Sequence, residues 1–178
     1  MFPKKNTTEE KPRKKKSSYR DIVEIVVAFA VAFLLYQGLI LATGTKLPIV
    51  SVVSDSMYHT TPFGTWWENS GKFYEDSGIN ESRFLSFHDF NGLSKGDLLF
   101  VVKAENVSIG DIVIYQRDPA SFTIVHRVVK IDGDTITVRG DNNPVSDPPF
   151  QKQDLQGKVV FAVPVLGYPR YILHLFGI

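Results

Sequence analysis

A mainly β fold behind a single N-terminal transmembrane helix is what this chain predicts. Three observations carry it: an apolar stretch from Ile22 to Ala42, a change after it to short runs rich in Val, Ile, Phe and Tyr, and an Asp132-Gly133 pair between two of those runs. The apolar stretch reads IVEIVVAFAVAFLLYQGLILA. Roughly 20 residues at ~1.5 Å rise each are enough to cross a hydrocarbon core of ~30 Å. Glu24 lies near the basic end, within reach of the interface, whereas Tyr36 and Gln37 fall deeper. The triplet Ala42-Thr43-Gly44 weakly resembles a small-residue cleavage site, but the stretch is long for a secretory signal and runs almost directly into structured sequence.

The net charge of +1 hides a division. Residues 1–20 carry eight basic side chains against Glu9 and Glu10, which leaves the remainder net acidic by five. Their polar, Pro-, Ser- and Thr-containing composition cannot build a core, so a disordered cytoplasmic tail is expected. A basic cluster directly before an apolar span is a topology signal that holds the N-terminus in the cytoplasm. With the basic residues before the span and an acidic remainder, no nucleic-acid partner is expected. The expected organisation is a tail over 1–20, a transmembrane helix over 21–42 and an extracytoplasmic β domain over 43–178. The absence of cysteine excludes disulfides, a thiolate zinc site and a cysteine nucleophile.

Strands are expected near Ile49–Val53, Leu98–Lys103, Ile112–Gln116, Ile124–Ile131, Thr135–Arg139 and Lys158–Val165. Asp132-Gly133 suits a tight hairpin and makes Ile124–Ile131 and Thr135–Arg139 antiparallel neighbours. Residues 60–95 mix Trp66, Trp67, Phe73, Tyr74, Phe84 and Phe87 with glycine and charge in no clean period, as an insertion would. A satellite core is favoured for these aromatics over a partner surface or a dip into the headgroup region. Asn80-Glu81-Ser82 and Asn106-Val107-Ser108 are glycosylation sequons on the side expected to be external. The final apolar stretch, 157–178, is interrupted by Pro164, Pro169, Arg170 and His174, which suits a last strand and an interfacial segment from Tyr168 better than a second span.

Ser56 sits just downstream of the span, and a hydroxyl needs a base to become a nucleophile. His126, inside an expected strand, offers one. Asp141 and Asp147 follow, and the hairpin brings the residues just past Arg139 to the same sheet end as His126. Each of these residues alone has an ordinary structural explanation. Taken together and in order, SDSM, GDIVIY, IVHRVV and RGDNN resemble the boxes of type I signal peptidases, specifically the archaeal and endoplasmic-reticulum branch, which has histidine where bacterial enzymes have a lysine base. The resemblance covers most of residues 49–165.

It implies an antiparallel β domain of the signal peptidase type at the membrane surface and a serine endopeptidase that removes signal peptides after small residues. Ser56 then matches the nucleophile, Ser54 the oxyanion-hole hydroxyl, His126 the general base, and Asp141 and Asp147 the two acids, either of which would orient the imidazole. Met57 matches the methionine that follows the nucleophile. No cofactor or metal is implied; the partners are preprotein signal peptides, the lipid bilayer of the cell membrane, and secretion-machinery or other subunits. One departure stands out: Tyr58-His59-Thr60-Thr61 displaces the family's proline to Pro62. His59 therefore competes with His126 as base, and His126 is preferred for its strand context. A catalytically silent binding subunit is the alternative reading.

Overall fold

A computed structural model describes residues 18–117 and 123–177. The tail up to residue 17 lies outside the described residues, but Ser18 to Arg20, expected as tail, already belong to a helix. The chain divides into two compact units after Gly38.

Helix α1, Ser18–Thr43, is 26 residues long, or about 39 Å at 1.5 Å per residue. Its apolar window has a mean hydropathy of 2.5 and is not buried by protein. It is the one helix among the described residues long and apolar enough to cross a membrane. Arg20 and Glu24, one turn apart, approach to 3.9 Å at its N-terminal end.

The second unit is built on a seven-stranded antiparallel sheet: β1 (Ile49–Ser51), β2 (Leu98–Val102), β3 (Ile112–Tyr115), β4 (Ile124–Asp132), β5 (Thr135–Arg139), β6 (Phe150–Gln151) and β7 (Leu155–Val163), in the order β1-β2-β7-β3-β4-β5-β6. The expected hairpin forms between β4 and β5, with Asp132 opposite Thr135 and Gly133 in the left-handed region at φ +59°. That conformation is open to glycine at little cost. The first strand is shorter than expected, ending at Ser51 rather than Val53, and the last runs from Leu155 to Val163 rather than from Lys158 to Val165. β6 was not expected, because two residues carry no periodic signal.

Strand β3 is buried along its whole length and separates two cores. Ile112 and Ile114 pack with Val52, Met57, Leu99 and Val101, while Val113 and Tyr115 pack with Val128, Ile136 and Val138 on the other face. The alternation follows from the two-residue period of a strand.

The insertion folds into helix α2 (Phe63–Asp76) and a short helix α3 (Glu81–Leu85), whose first turn is capped by the Asn80 side chain accepting from Arg83 N–H at 2.9 Å. Trp66, Trp67, Tyr74, Ile79 and Phe84 form the satellite core expected of it, closed against Val129 of β4. The segment from Tyr168 is helix α4, Tyr168–Leu175, preceded by a turn that leaves Val165 and Leu166 exposed.

Phe84 is fully buried and its ring lies 4.7 Å from Tyr74 and 5.3 Å from Trp66. Phe84→Ala is expected to destabilise the domain by about 3–5 kcal/mol, from lost transfer energy and the cavity left behind. Thermal unfolding of the purified protein checks this; a change under 1 kcal/mol would show that the insertion is not a packed part of the domain.

Candidate active site

Four short segments converge on one end of the sheet: the Ser54–Tyr58 loop, the ends of β3 and β4, and the 140–147 turn after β5. Ser56 lies in a turn closed by Tyr58 N–H to Asp55 O at 3.0 Å, not at the end of a strand. The loop is pinned from both sides. Met57 is buried in the main core, and its carbonyl accepts from Leu93 N–H at 2.8 Å. The Ser56 carbonyl accepts from Asn142 N–H at 2.8 Å, and the Asp55 carbonyl from Asn142 Nδ2 at 3.1 Å.

Gly140 makes this approach possible. A Cβ there would sit 2.6 Å from the Ser56 carbonyl oxygen and 2.8 Å from His126 Nε2, closer than real side chains allow. The glycine of RGDNN is thus required by space.

Ser54 Oγ and Ser56 Oγ are 3.2 Å apart. Both line a groove of about 710 Å³, together with His126, the residues from Ile49 to Val53 and those from Thr123 to Val125. Among the described residues β1 is an edge strand, paired to β2. β4, among the described residues, pairs with β5 only from Arg127 onward, so the residues before His126 present an edge unpaired by β5. The groove therefore runs between two strand edges with Ser56 and His126 at its side.

His126 is buried on β4, with Nδ1 hydrogen-bonded to Asp147 Oδ2. A carboxylate can only accept, so Nδ1 carries the proton and neutral His126 keeps its lone pair on Nε2. Asn143 Nδ2 lies 3.5 Å from that nitrogen. Burial pushes the His126 pKa below its ordinary 6.5, with the Asp147 carboxylate opposing the shift. Asp147 also accepts from Tyr115 Oη on the same oxygen, and its Oδ1 is 2.6 Å from Arg117 Nη2.

The two acids expected beside His126 part company. Asp141 has no solvent exposure, and its carboxylate is bonded to Arg127 (Nη2 to Oδ2, 2.8 Å; Nε to Oδ1, 3.0 Å), Tyr74 Oη (2.8 Å) and His59 Nε2 (3.1 Å) instead of to the His126 ring. Successive strand residues face opposite ways, so His126 and Arg127 each take their own acid. Burial alone would raise the Asp141 carboxyl; the Arg127 guanidinium and the hydrogen bonds from His59 and Arg127 outweigh it and hold the pKa well below the usual carboxylate range. Arg127 places its remaining donors on the carbonyls of His88, Asp89 and Gly110. His59, the competing base, is stacked on Trp66 with centroids 3.6 Å apart and faces Asp141.

Sequence reasoning assigned no site role to Tyr115, Arg117, Arg127, Tyr74 or Asn143, although Tyr115, Arg127 and Asn143 lie within the family-like boxes. Arg127 carried a signal: a cation inside the apolar run IVHRVV must find an acid if the strand is buried. Among the described residues no group of three or more His, Asp or Glu side chains is placed to hold a metal ion.

Comparison with known proteins bears on what this arrangement serves. No protein-family model matches the chain. It is 30% identical over 163 residues to the signal peptidase complex catalytic subunit SEC11 of Candida tropicalis, covering 84% of this chain and 79% of the relative. The SEC11 subunit of Candida albicans is 29% identical over 165 residues, covering 85% and 80%. The human signal peptidase complex catalytic subunit SEC11C is 26% identical over 179 residues, covering 92% and 77%. The chain belongs to the family of these SEC11 signal peptidase catalytic subunits, the endoplasmic-reticulum and archaeal branch of type I signal peptidases, which are serine endopeptidases.

Proposed function

We propose that this protein is a membrane-anchored serine endopeptidase that removes N-terminal signal peptides from exported preproteins, with Ser56 as nucleophile and His126 as general base. The observation that carries the reading is the Asp147–His126 pair beside Ser56 on a groove open to an extended chain. His126 Nε2 takes the Ser56 proton as Oγ attacks the scissile carbonyl, and later returns it to the leaving amine. Asp147 holds the ring in the required tautomer and stabilises the imidazolium. The Ser56 backbone N–H and the Ser54 hydroxyl donate to the oxyanion, a contribution of typically a few kcal/mol. Asp141 acts one step removed: by anchoring the start of the 140–147 turn it sets where Asn142 meets the Ser56 carbonyl. No cofactor enters the scheme.

The preprotein binds as an added strand against the free edges of β1 and the start of β4. The basic tail keeps the N-terminus in the cytoplasm, α1 spans the membrane, and the β domain works on the outer side. α4 suits the interfacial role expected of the last segment: Ile172, Leu173, Leu175 and Phe176 are exposed, a composition that favours lipid contact. The relatives' names place them in a signal peptidase complex, which supports partner subunits for this chain too. A silent binding subunit would have no use for an imidazole oriented by Asp147.

Ser56→Ala is expected to reduce cleavage of a detergent-solubilised preprotein by roughly 10³-fold or more, and His126→Ala comparably. Processing at the wild-type rate by either variant contradicts the assignment. The two acids are separable. Asp147→Asn should lower kcat by roughly 10³ to 10⁴ with little change in Tm, whereas Asp141→Ala strands a buried cation and should cost about 3–5 kcal/mol of stability. Thermal unfolding and kinetics on the same preparations decide the division, and the reverse pattern would exchange their roles. A base must be neutral, so kcat/KM falls as pH drops through the His126 pKa. Because that pKa is lowered, the midpoint of the acid limb is expected below 6.5; a midpoint above 7 contradicts histidine in this environment.

A further inference from the structure

We propose that Tyr115 and Arg117 are positioning residues that set the basicity of His126 by sharing the charge of Asp147, an inference that rests on the Ser56–His126 reading above. Among the described residues, three side chains meet this carboxylate. Oδ2 accepts from both His126 Nδ1 and Tyr115 Oη, and Oδ1 faces Arg117 Nη2 at 2.6 Å. Asp147 N–H is fixed in turn to Val138 O at 2.9 Å. A carboxylate bonded to histidine alone gives the imidazolium its full charge and makes the base easy to protonate. Dividing that charge over a phenol and a guanidinium weakens the hold on the imidazolium without moving the acid.

The two sharers differ in kind. Tyr115 is buried at the end of β3, stacked on Phe150 with centroids 4.5 Å apart, and its Oη is also 3.4 Å from His126 Nδ1. Burial and the neighbouring Asp147 raise its pKa, so it remains a neutral donor at any working pH. Arg117 is half-exposed and acts as a charge. It opposes protonation of His126 across the carboxylate, against the attraction of Asp147 and the more distant Asp141. On the other side of the ring, Asn143 Nδ2 meets Nε2 and is uncharged. A base kept neutral this way stays ready to accept a proton in mildly acidic surroundings.

The test measures His126 twice in the full-length protein in detergent: by NMR titration with ring-labelled histidine, assigned by His126→Gln, and by the pH profile of kcat/KM on a preprotein. Arg117→Gln is expected to raise both midpoints by roughly 0.5–1 pH unit at low salt, with the difference shrinking as salt screens an exposed cation. Arg117→Lys should return both toward wild type, and Tyr115→Phe should move both upward without salt dependence. If neither midpoint moves in Arg117→Gln or Tyr115→Phe, the inference is overturned while the Ser56 and His126 assignments stand on their own variants. If the NMR midpoint moves and the rate profile does not, the tuning holds and His126 is not the base, so the functional reading fails. A rate profile that moves without the NMR midpoint also overturns the inference, since these residues would then act elsewhere.

Discussion

The Arg127–Asp141 ion pair is the interaction on which the rest of the structure depends. Both side chains are without solvent exposure, and isolating either charge there would cost several kcal/mol. The cost is met by completeness. Arg127 spends its donors on Asp141 and on the carbonyls of His88, Asp89 and Gly110, while Asp141 also accepts from Tyr74 and His59. These bonds join β4, the approach to β3, the insertion and the turn after β5. Removing the pair would therefore loosen four segments at once, including the one whose Asn142 fixes the Ser56 carbonyl.

From that anchor the site follows by strand geometry. His126 and Arg127 are adjacent on β4 and so present opposite faces. One face carries the structural pair, the other the groove. The turn that begins with Gly140 delivers Asp141 to the first and Asp147 to the second, six residues later, so a single loop serves both. The insertion enters the same arrangement through Tyr74, and the segment leading into it, which departs from the usual proline after Met57, places His59 on Trp66 and Asp141. A sequence feature that looked like a disturbance of the nucleophile loop is in the fold a brace behind it.

Much of this was legible in the sequence, and the limits have physical causes. Asp132-Gly133 identified the β4–β5 hairpin because a left-handed turn leaves few residue choices. The apolar span was readable because length and composition alone define it. α2 was not readable: Phe63–Asp76 contains Gly64, Thr65, Asn69 and Gly71, poor helix formers whose preference is overridden by packing. The buried positions Trp66, Trp67, Gly71 and Tyr74 do share a helical face, but a core must supply that face before the period means anything. The site residues Ser56, His126, Asp141 and Asp147 were visible as types in order, whereas the roles of the two acids depended on which face of β4 each one meets. Tyr115 closes the GDIVIY box but its role was not readable there, and Arg117 lies outside the boxes, since nothing in spacing says that the end of β3 lies against the 147 position.

Activation of the Ser56 hydroxyl by His126 can be read by covalent labelling. A fluorophosphonate reagent, which phosphonylates a serine only when a base activates it, would be reacted with the intact protein and mapped by mass spectrometry. One adduct on Ser56 is expected, lost in His126→Ala and retained in His59→Gln. An adduct on Ser54, or labelling of Ser56 that survives His126→Ala, would contradict that activation.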